Sequence, residues 1–127
     1  MSFEHPVAKA RGLGSAKSGT QHWWRQRVTA AFLVPLLIWF AVAMASLMGA
    51  DYATMVAWIS SPLVAILLIT LLGLGFYHLA LGLQVIIEDY VHGEVAKVVG
   101  LLLSKAACFL LGLAGIFAVL SITFGGF

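Results

Sequence analysis

The sequence predicts an all-α membrane protein with three transmembrane helices, and three observations carry that reading. Of the 127 residues, 62% are hydrophobic and only 9% are charged, with a mean hydropathy of +1.05. A soluble domain of this size needs a charged surface that this composition cannot supply. Three continuous apolar runs occupy residues 28–49, 62–87 and 98–123. Each exceeds the ~20 residues that span ~30 Å of hydrocarbon. The runs are continuous rather than alternating, which excludes a β-barrel, and backbone groups in lipid must pair internally, which makes them helices.

Placement of charge orients the helices. Lys9, Arg11, Lys17, Arg25 and Arg27 precede the first run, whereas the first connection holds Asp51 and no basic residue. Lys97 lies in the second connection, with Lys105 further on. Basic residues gather at the cytoplasmic ends of spans. The N-terminus and the 88–97 connection are therefore expected in the cytoplasm, with residues 50–61 and Phe127 outside. The basic bias serves topology and gives no case for nucleic-acid binding. Cys108 is the single cysteine, so disulfide frameworks and CxxC metal sites within the chain are excluded, and it reads as a small packing residue. The first run is too long for a signal-peptide core and reads as a retained span, with no cleavable signal expected. Two regions follow: a cytoplasmic arm and interfacial segment at 1–27, and a single three-helix transmembrane domain at 28–127.

Each element has its own signals. Residues 1–21 are small and polar, as expected of a flexible or partner-ordered arm. His22, Trp23, Trp24, Arg25, Gln26 and Arg27 then mark the membrane boundary, because paired Trp beside Arg anchors a helix at the interface. Pro35 falls inside the first helix, where a mild kink is tolerated. The connection at 50–61 is short, with Trp58 expected at the outer interface. Pro62 suits the first turn of the second helix. About ten residues, including Gly93, join the second and third helices. No repeat or second domain is visible. Three helices enclose little, so the chain is expected to work within a larger assembly.

The chemistry concentrates on the second helix. His78 lies well inside its apolar run, where an ionisable group costs roughly 2–4 kcal/mol and therefore marks a functional site. At about 100° per residue from His78, Leu71 and Asp89 fall near 20°, Gly82 near 40°, Gly75 near 60° and Val85 near −20°. This face brackets the imidazole with glycines, which admit a neighbouring helix or a flat macrocycle to the backbone. Three readings stay open: a haem ligand, a proton-relay group, or a histidine bonded across a helix interface with no further role. No other histidine lies in mid-membrane, so a bis-histidine haem would need its second ligand from another chain.

Asp89 and Tyr90 follow about 16 Å further along the axis, on the side where Arg25 and Arg27 enter. A phenol, a carboxylate and a guanidinium at that depth could serve a quinone, because reduction requires hydrogen-bond donors and a proton supply. An interfacial Tyr, a solvated Asp and an Arg on lipid phosphate would explain them without a quinone, and on these residues alone that is the favoured reading.

The string from His78 through Gln84, Asp89, Tyr90 and His92 to Gly93, with Arg27, Val28, Thr29 and Ala30 upstream, resembles the small hydrophobic anchor (D) subunits of succinate dehydrogenase, respiratory complex II. That family pattern places a haem-ligating His in the second helix and Asp-Tyr eleven and twelve residues later, after an Arg-x-(Ser/Thr)-Ala segment opening the first. The resemblance covers about residues 12–125. It implies that His78 is one axial ligand of haem b, with the other supplied by a second, cytochrome b anchor subunit packed into a shared haem bundle. It implies further that Tyr90 hydrogen-bonds ubiquinone and that Asp89 supports that site. Arg27 would lie near a haem propionate, with His22 matching that vicinity more loosely. His92 and Gly93 match the loop of some members without a role, and Lys105 departs from the pattern, since a charge inside the third span must snorkel or find a partner. A flavoprotein and an iron–sulfur subunit would be the soluble partners, and membrane lipid would cover the remaining faces. The expected location is a bacterial inner membrane. The alternatives are a fumarate reductase anchor, and a non-redox membrane protein that uses His78 as a proton relay.

Overall fold

The computed structural model describes Val7 and residues 17–125 of the chain. Residues 1–6 and 8–16 of the expected arm, and Phe127, lie outside the described residues. The described chain is helical throughout, in the order α1 (Lys17–Ser46), α2 (Tyr52–Ile59), α3 (Pro62–Tyr90) and α4 (Glu94–Thr123). Three helices have the length and hydropathy to cross a membrane: α1 over Thr20–Ser46, α3 and α4. Helices α3 and α4 contain the second and third runs read from the sequence, and α1 contains the first as far as Ser46, residues 47–49 forming a turn.

The boundaries differ from those expectations in three places. Helix α1 begins at Lys17, so His22 through Arg27 continue one helix with the span instead of ending an arm. Helix α3 runs on through Glu88, Asp89 and Tyr90, and α4 starts at Glu94. The expected ten-residue connection is therefore only Val91, His92 and Gly93. Polar residues at a membrane boundary do not end a helix when each backbone amide still finds its partner, and the Val91 amide donates to the Ile87 carbonyl at 3.0 Å. The 50–61 connection holds the short helix α2, which the sequence reading did not anticipate. Its N-cap is Asp51, whose carboxylate accepts from the Thr54 amide at 3.0 Å. Gly49, at φ +82, supplies the left-handed turn that releases the chain from α1. Pro62 occupies the first turn of α3, as expected, and α1 passes through Pro35 without a break.

Helix α3 is central. It packs against α4 along much of its length and against α1 over part of it, and α1 and α4 do not pack on each other. Hydrophobic burial gives no drive inside lipid, so close approach and van der Waals fit hold such helices together. Glycines of α4 make the α3–α4 seam, Gly112 and Gly115 most tightly. A Cβ at Gly112 would lie 3.3 Å from Phe76, and one at Gly115 would lie 3.2 Å from Leu72. Buried Cys108 is the small packing residue that the sequence suggested.

Packing is uneven along the bundle. At the α2 end, Ala65, Leu68 and Val119 form a core beneath Trp39, Phe40 and Trp58. The Trp39 and Trp58 rings stack at 6.0 Å, joining α2 to α1, and the Ser60 hydroxyl donates to the Ile122 carbonyl at 3.3 Å. The opposite end, where α1 begins and α3 ends, is splayed and carries a cleft of about 820 Å3.

Gly112→Leu is expected to force Phe76 aside and lower the thermal midpoint of the detergent-solubilised protein, by the equivalent of about 1–3 kcal/mol of overpacking. Gly73→Ala, where an added Cβ meets nothing within 4 Å, should not lower it. The Asp51 cap gives a second, local expectation. Hydrogen bonds from the Thr54 hydroxyl and amide hold the Asp51 carboxyl below its usual value of 3.8. A depressed carboxylate stabilises above its unfolded pKa and stops doing so as pH falls through the folded one. Asp51→Ala should therefore speed amide exchange in the first turn of α2 at neutral pH. Wild type should show that exchange only on acidification to below about pH 4.

Candidate functional site

The imidazole of His78 sits at the α1–α3 contact, partly buried. Its Nδ1 lies 2.8 Å from the Thr29 hydroxyl, and its Nε2 lies 3.4 Å from the Gln26 side-chain nitrogen. Thr29 is the buried polar residue of the described chain, 6% exposed. A buried hydroxyl in a helix returns its proton to the preceding turn. The Thr29 hydroxyl lies 2.8 Å from the Arg25 carbonyl and 3.2 Å from that of Gln26. Gln26, Thr29 and buried Leu33 recur at helical spacing and form the stripe of α1 that faces α3.

The glycines beside His78 divide in role. Gly82 is covered by α1, since a Cβ there would sit 3.7 Å from the Gln26 amide nitrogen. Gly75 has nothing within 4 Å and helps line an open groove of about 230 Å3 with Leu71, Leu72, Phe76 and Leu79. The face predicted to admit a helix or a macrocycle thus meets a helix at Gly82 and stays open at Gly75.

The other expected site residues separate by helix face. His22 is turned inward, on the wall of the large cleft, and its Nε2 is buried with no hydrogen-bond partner among the described residues. Arg27 points the other way and is exposed, with its guanidinium 5.5 Å from the centre of the Trp23 ring. The Trp23 and Trp24 rings stack at 6.2 Å, forming an aromatic platform at the membrane boundary. Asp89 and Tyr90 end α3, both exposed, with Tyr90 at 77%. They lie at the same end of the bundle as the start of α1 and are held away from the His78 contact by three turns of helix.

Two features went unread in the sequence. The first is the pairing of Thr29 and Gln26 with His78. Its signal was a hydroxyl and an amide three residues apart at the opening of an apolar run, where each must find a partner. The second is the cleft, which gathers Arg25, Gln84, Glu88 and Lys105 above an apolar floor that includes Phe109 and Ile116. Lys105 therefore stands on a polar wall within its span.

Three apolar helices, a histidine held between two of them and a polar end carrying Asp-Tyr define a multi-pass membrane protein with an intramembrane histidine site. The family model described as succinate dehydrogenase/fumarate reductase transmembrane subunit matches residues 1–122, and the chain belongs to that family. Among its relatives, the succinate dehydrogenase hydrophobic membrane anchor subunit of Rickettsia bellii is 36% identical over 89 residues, covering 70% of this chain and 71% of that protein. The subunit of the same name from Paracoccus denitrificans is 32% identical over 97 residues, covering 76% of this chain and 75% of the relative. The succinate dehydrogenase membrane anchor subunit of Reclinomonas americana is 32% identical over 92 residues, covering 70% of this chain and 77% of the relative. No solved structure gives a significant match.

Proposed function

We propose that this chain is the hydrophobic membrane anchor subunit of a succinate:ubiquinone oxidoreductase, and that His78 is one axial ligand of a haem b shared with a second anchor subunit. The observation that carries the haem assignment is the setting of His78, an imidazole within an apolar helix whose two nitrogens face Thr29 and Gln26. Neither partner titrates, so the setting suits a neutral ligand better than a proton relay, which needs ionisable neighbours in series. The donor chemistry fits the group: a neutral imidazole nitrogen binds iron well. The buried, unpartnered Gln26 oxygen and His22 nitrogen leave polar capacity for an incoming group at this end of the bundle. Bound haem supplies a one-electron carrier in the membrane. His78 would hold it; the resemblance would bring Arg27, and more loosely His22, into the vicinity of its propionates, although the two face apart on α1.

Tyr90 would donate a hydrogen bond to the quinone carbonyl, and Asp89 would support that site and its proton supply. Their exposure at the end of α3 suits a surface completed by an iron–sulfur subunit. A flavoprotein subunit would oxidise succinate, and this chain would contribute no chemistry to that half-reaction. Its helices would anchor the assembly in a bacterial inner membrane, with the N-terminus and the Val91–Gly93 turn cytoplasmic and α2 outside. Most of the spanning surface faces outward: only 6% to 17% of the most apolar window in each span is buried, leaving wide faces for the second anchor and for lipid. Fumarate reductase anchors share the matching family description, and the same site would serve the reverse reaction with its own quinone.

His78→Ala should strip haem b from the purified complex while the four subunits still co-purify. Haem content equal to wild type would reject the ligand assignment. Tyr90→Phe should lower quinone reduction by about fivefold, the worth of one hydrogen bond, while sparing succinate oxidation with an artificial acceptor. Equal loss in both assays would mean that Tyr90 matters for assembly instead.

A further inference from the structure

The two contacts of His78 settle more than its position. A threonine hydroxyl has one proton and two lone pairs, so what it does with the proton decides what it can offer the ring. The Arg25 and Gln26 carbonyls, 2.8 and 3.2 Å from the Thr29 oxygen, are acceptors one turn back in the same helix. With the proton given there, Thr29 presents a lone pair to His78 Nδ1 at 2.8 Å, and that nitrogen must carry hydrogen. The other ring nitrogen faces the Gln26 amide nitrogen, a donor, at 3.4 Å. In this orientation the amide matches an unprotonated Nε2. The Thr29 contact therefore selects the Nδ1–H tautomer, and the Gln26 contact accommodates it. The opposite tautomer would pull the Thr29 proton away from the Arg25 carbonyl.

We infer that Thr29 is a positioning residue for iron ligation: it fixes the tautomer of His78, orients the ring and leaves the Nε2 lone pair as the donor. The inference rests on the reading of His78 as a haem ligand and adds an actor to it. Metal-binding histidines are commonly oriented by a group on the second ring nitrogen, often a carboxylate or backbone carbonyl. Here the group is a neutral hydroxyl on a neighbouring helix, so the haem ligand and the α1–α3 contact depend on the same hydrogen bond. Gln26, at a longer distance from Nε2, covers the lone pair and would have to turn aside for iron.

The direction of the electronic effect follows. A hydrogen bond accepted from Nδ1–H makes the imidazole a stronger donor and favours ferric iron. Removing it should raise the haem midpoint potential and loosen retention.

The test uses the intact purified complex with Thr29→Val, Thr29→Ser and wild type. The readouts are a redox titration of the haem band, the low-temperature EPR g-values, and haem loss to excess apomyoglobin. Thr29→Val should shift the potential upward, alter the g-values and weaken haem retention by about 10–100-fold. Thr29→Ser, which keeps the hydroxyl, should restore all three. A Thr29→Val complex with wild-type potential, g-values and retention would overturn the assignment of Thr29 while leaving His78 as ligand. Wild-type haem in His78→Ala would overturn the ligand reading itself. Should the valine variant fail to assemble, solid-state NMR of the reduced wild-type complex with 15N-labelled histidine decides the matter. A protonated Nδ1 in contact with a threonine side chain supports the assignment, and an unprotonated Nδ1 overturns it.

Discussion

The structure turns on the need to satisfy an imidazole inside a hydrocarbon layer. Water cannot serve His78 there, so its ring nitrogens must find partners in protein. They find them on α1, where Thr29 and Gln26 project from the stripe that packs on α3. This contact sets the relation of the first span to the second at its polar end, just as the Trp39–Trp58 stack sets it at the other end through α2. Helix α4 reaches the assembly by a different route, through glycines that let Phe76 and Leu72 approach its backbone. Polar pairing thus joins α1 to α3, and close packing joins α3 to α4.

The gradient along the bundle has a functional sense under the proposed reading. The α2 end is packed and capped, whereas the other end is open and lined with polar side chains. A subunit that meets soluble partners and a quinone on one side of the membrane needs its polar groups, its exposed tyrosine and its gaps on that side. His22, Arg25, Glu88, Asp89 and Tyr90 all lie there. The wide exposed faces of the spans suit a chain whose packing is finished by other subunits.

Much of this was legible in the sequence because bilayer physics is severe. Continuous apolar runs leave few alternatives to helices, so the spans, Pro62 at a helix start and the small-residue role of Cys108 could be read directly. The face of α3 that carries His78 was also legible from helical geometry. The helix ends were not, because polar residues at a boundary extend a helix as readily as they end it. That is how Tyr90 became the last residue of α3 and how the following turn shrank to three residues. Helix α2 was missed because its signal is one capping aspartate ahead of eight residues. Thr29 was visible only as part of a short pattern, since nothing in a linear chain tells which hydroxyl of one helix meets which nitrogen of another 49 residues away. The opposite facing of His22 and Arg27 follows from their five-residue separation on a helix that was expected to begin later.

The most direct test of the central claim is a dithionite-reduced minus oxidised spectrum of the detergent-purified complex, with its co-purifying subunits identified. A b-type haem band is expected, together with a flavoprotein, an iron–sulfur protein and a second anchor subunit. A colourless preparation without redox partners would contradict that claim, returning His78 to a packing or proton-carrying role and removing the basis for a quinone at Tyr90.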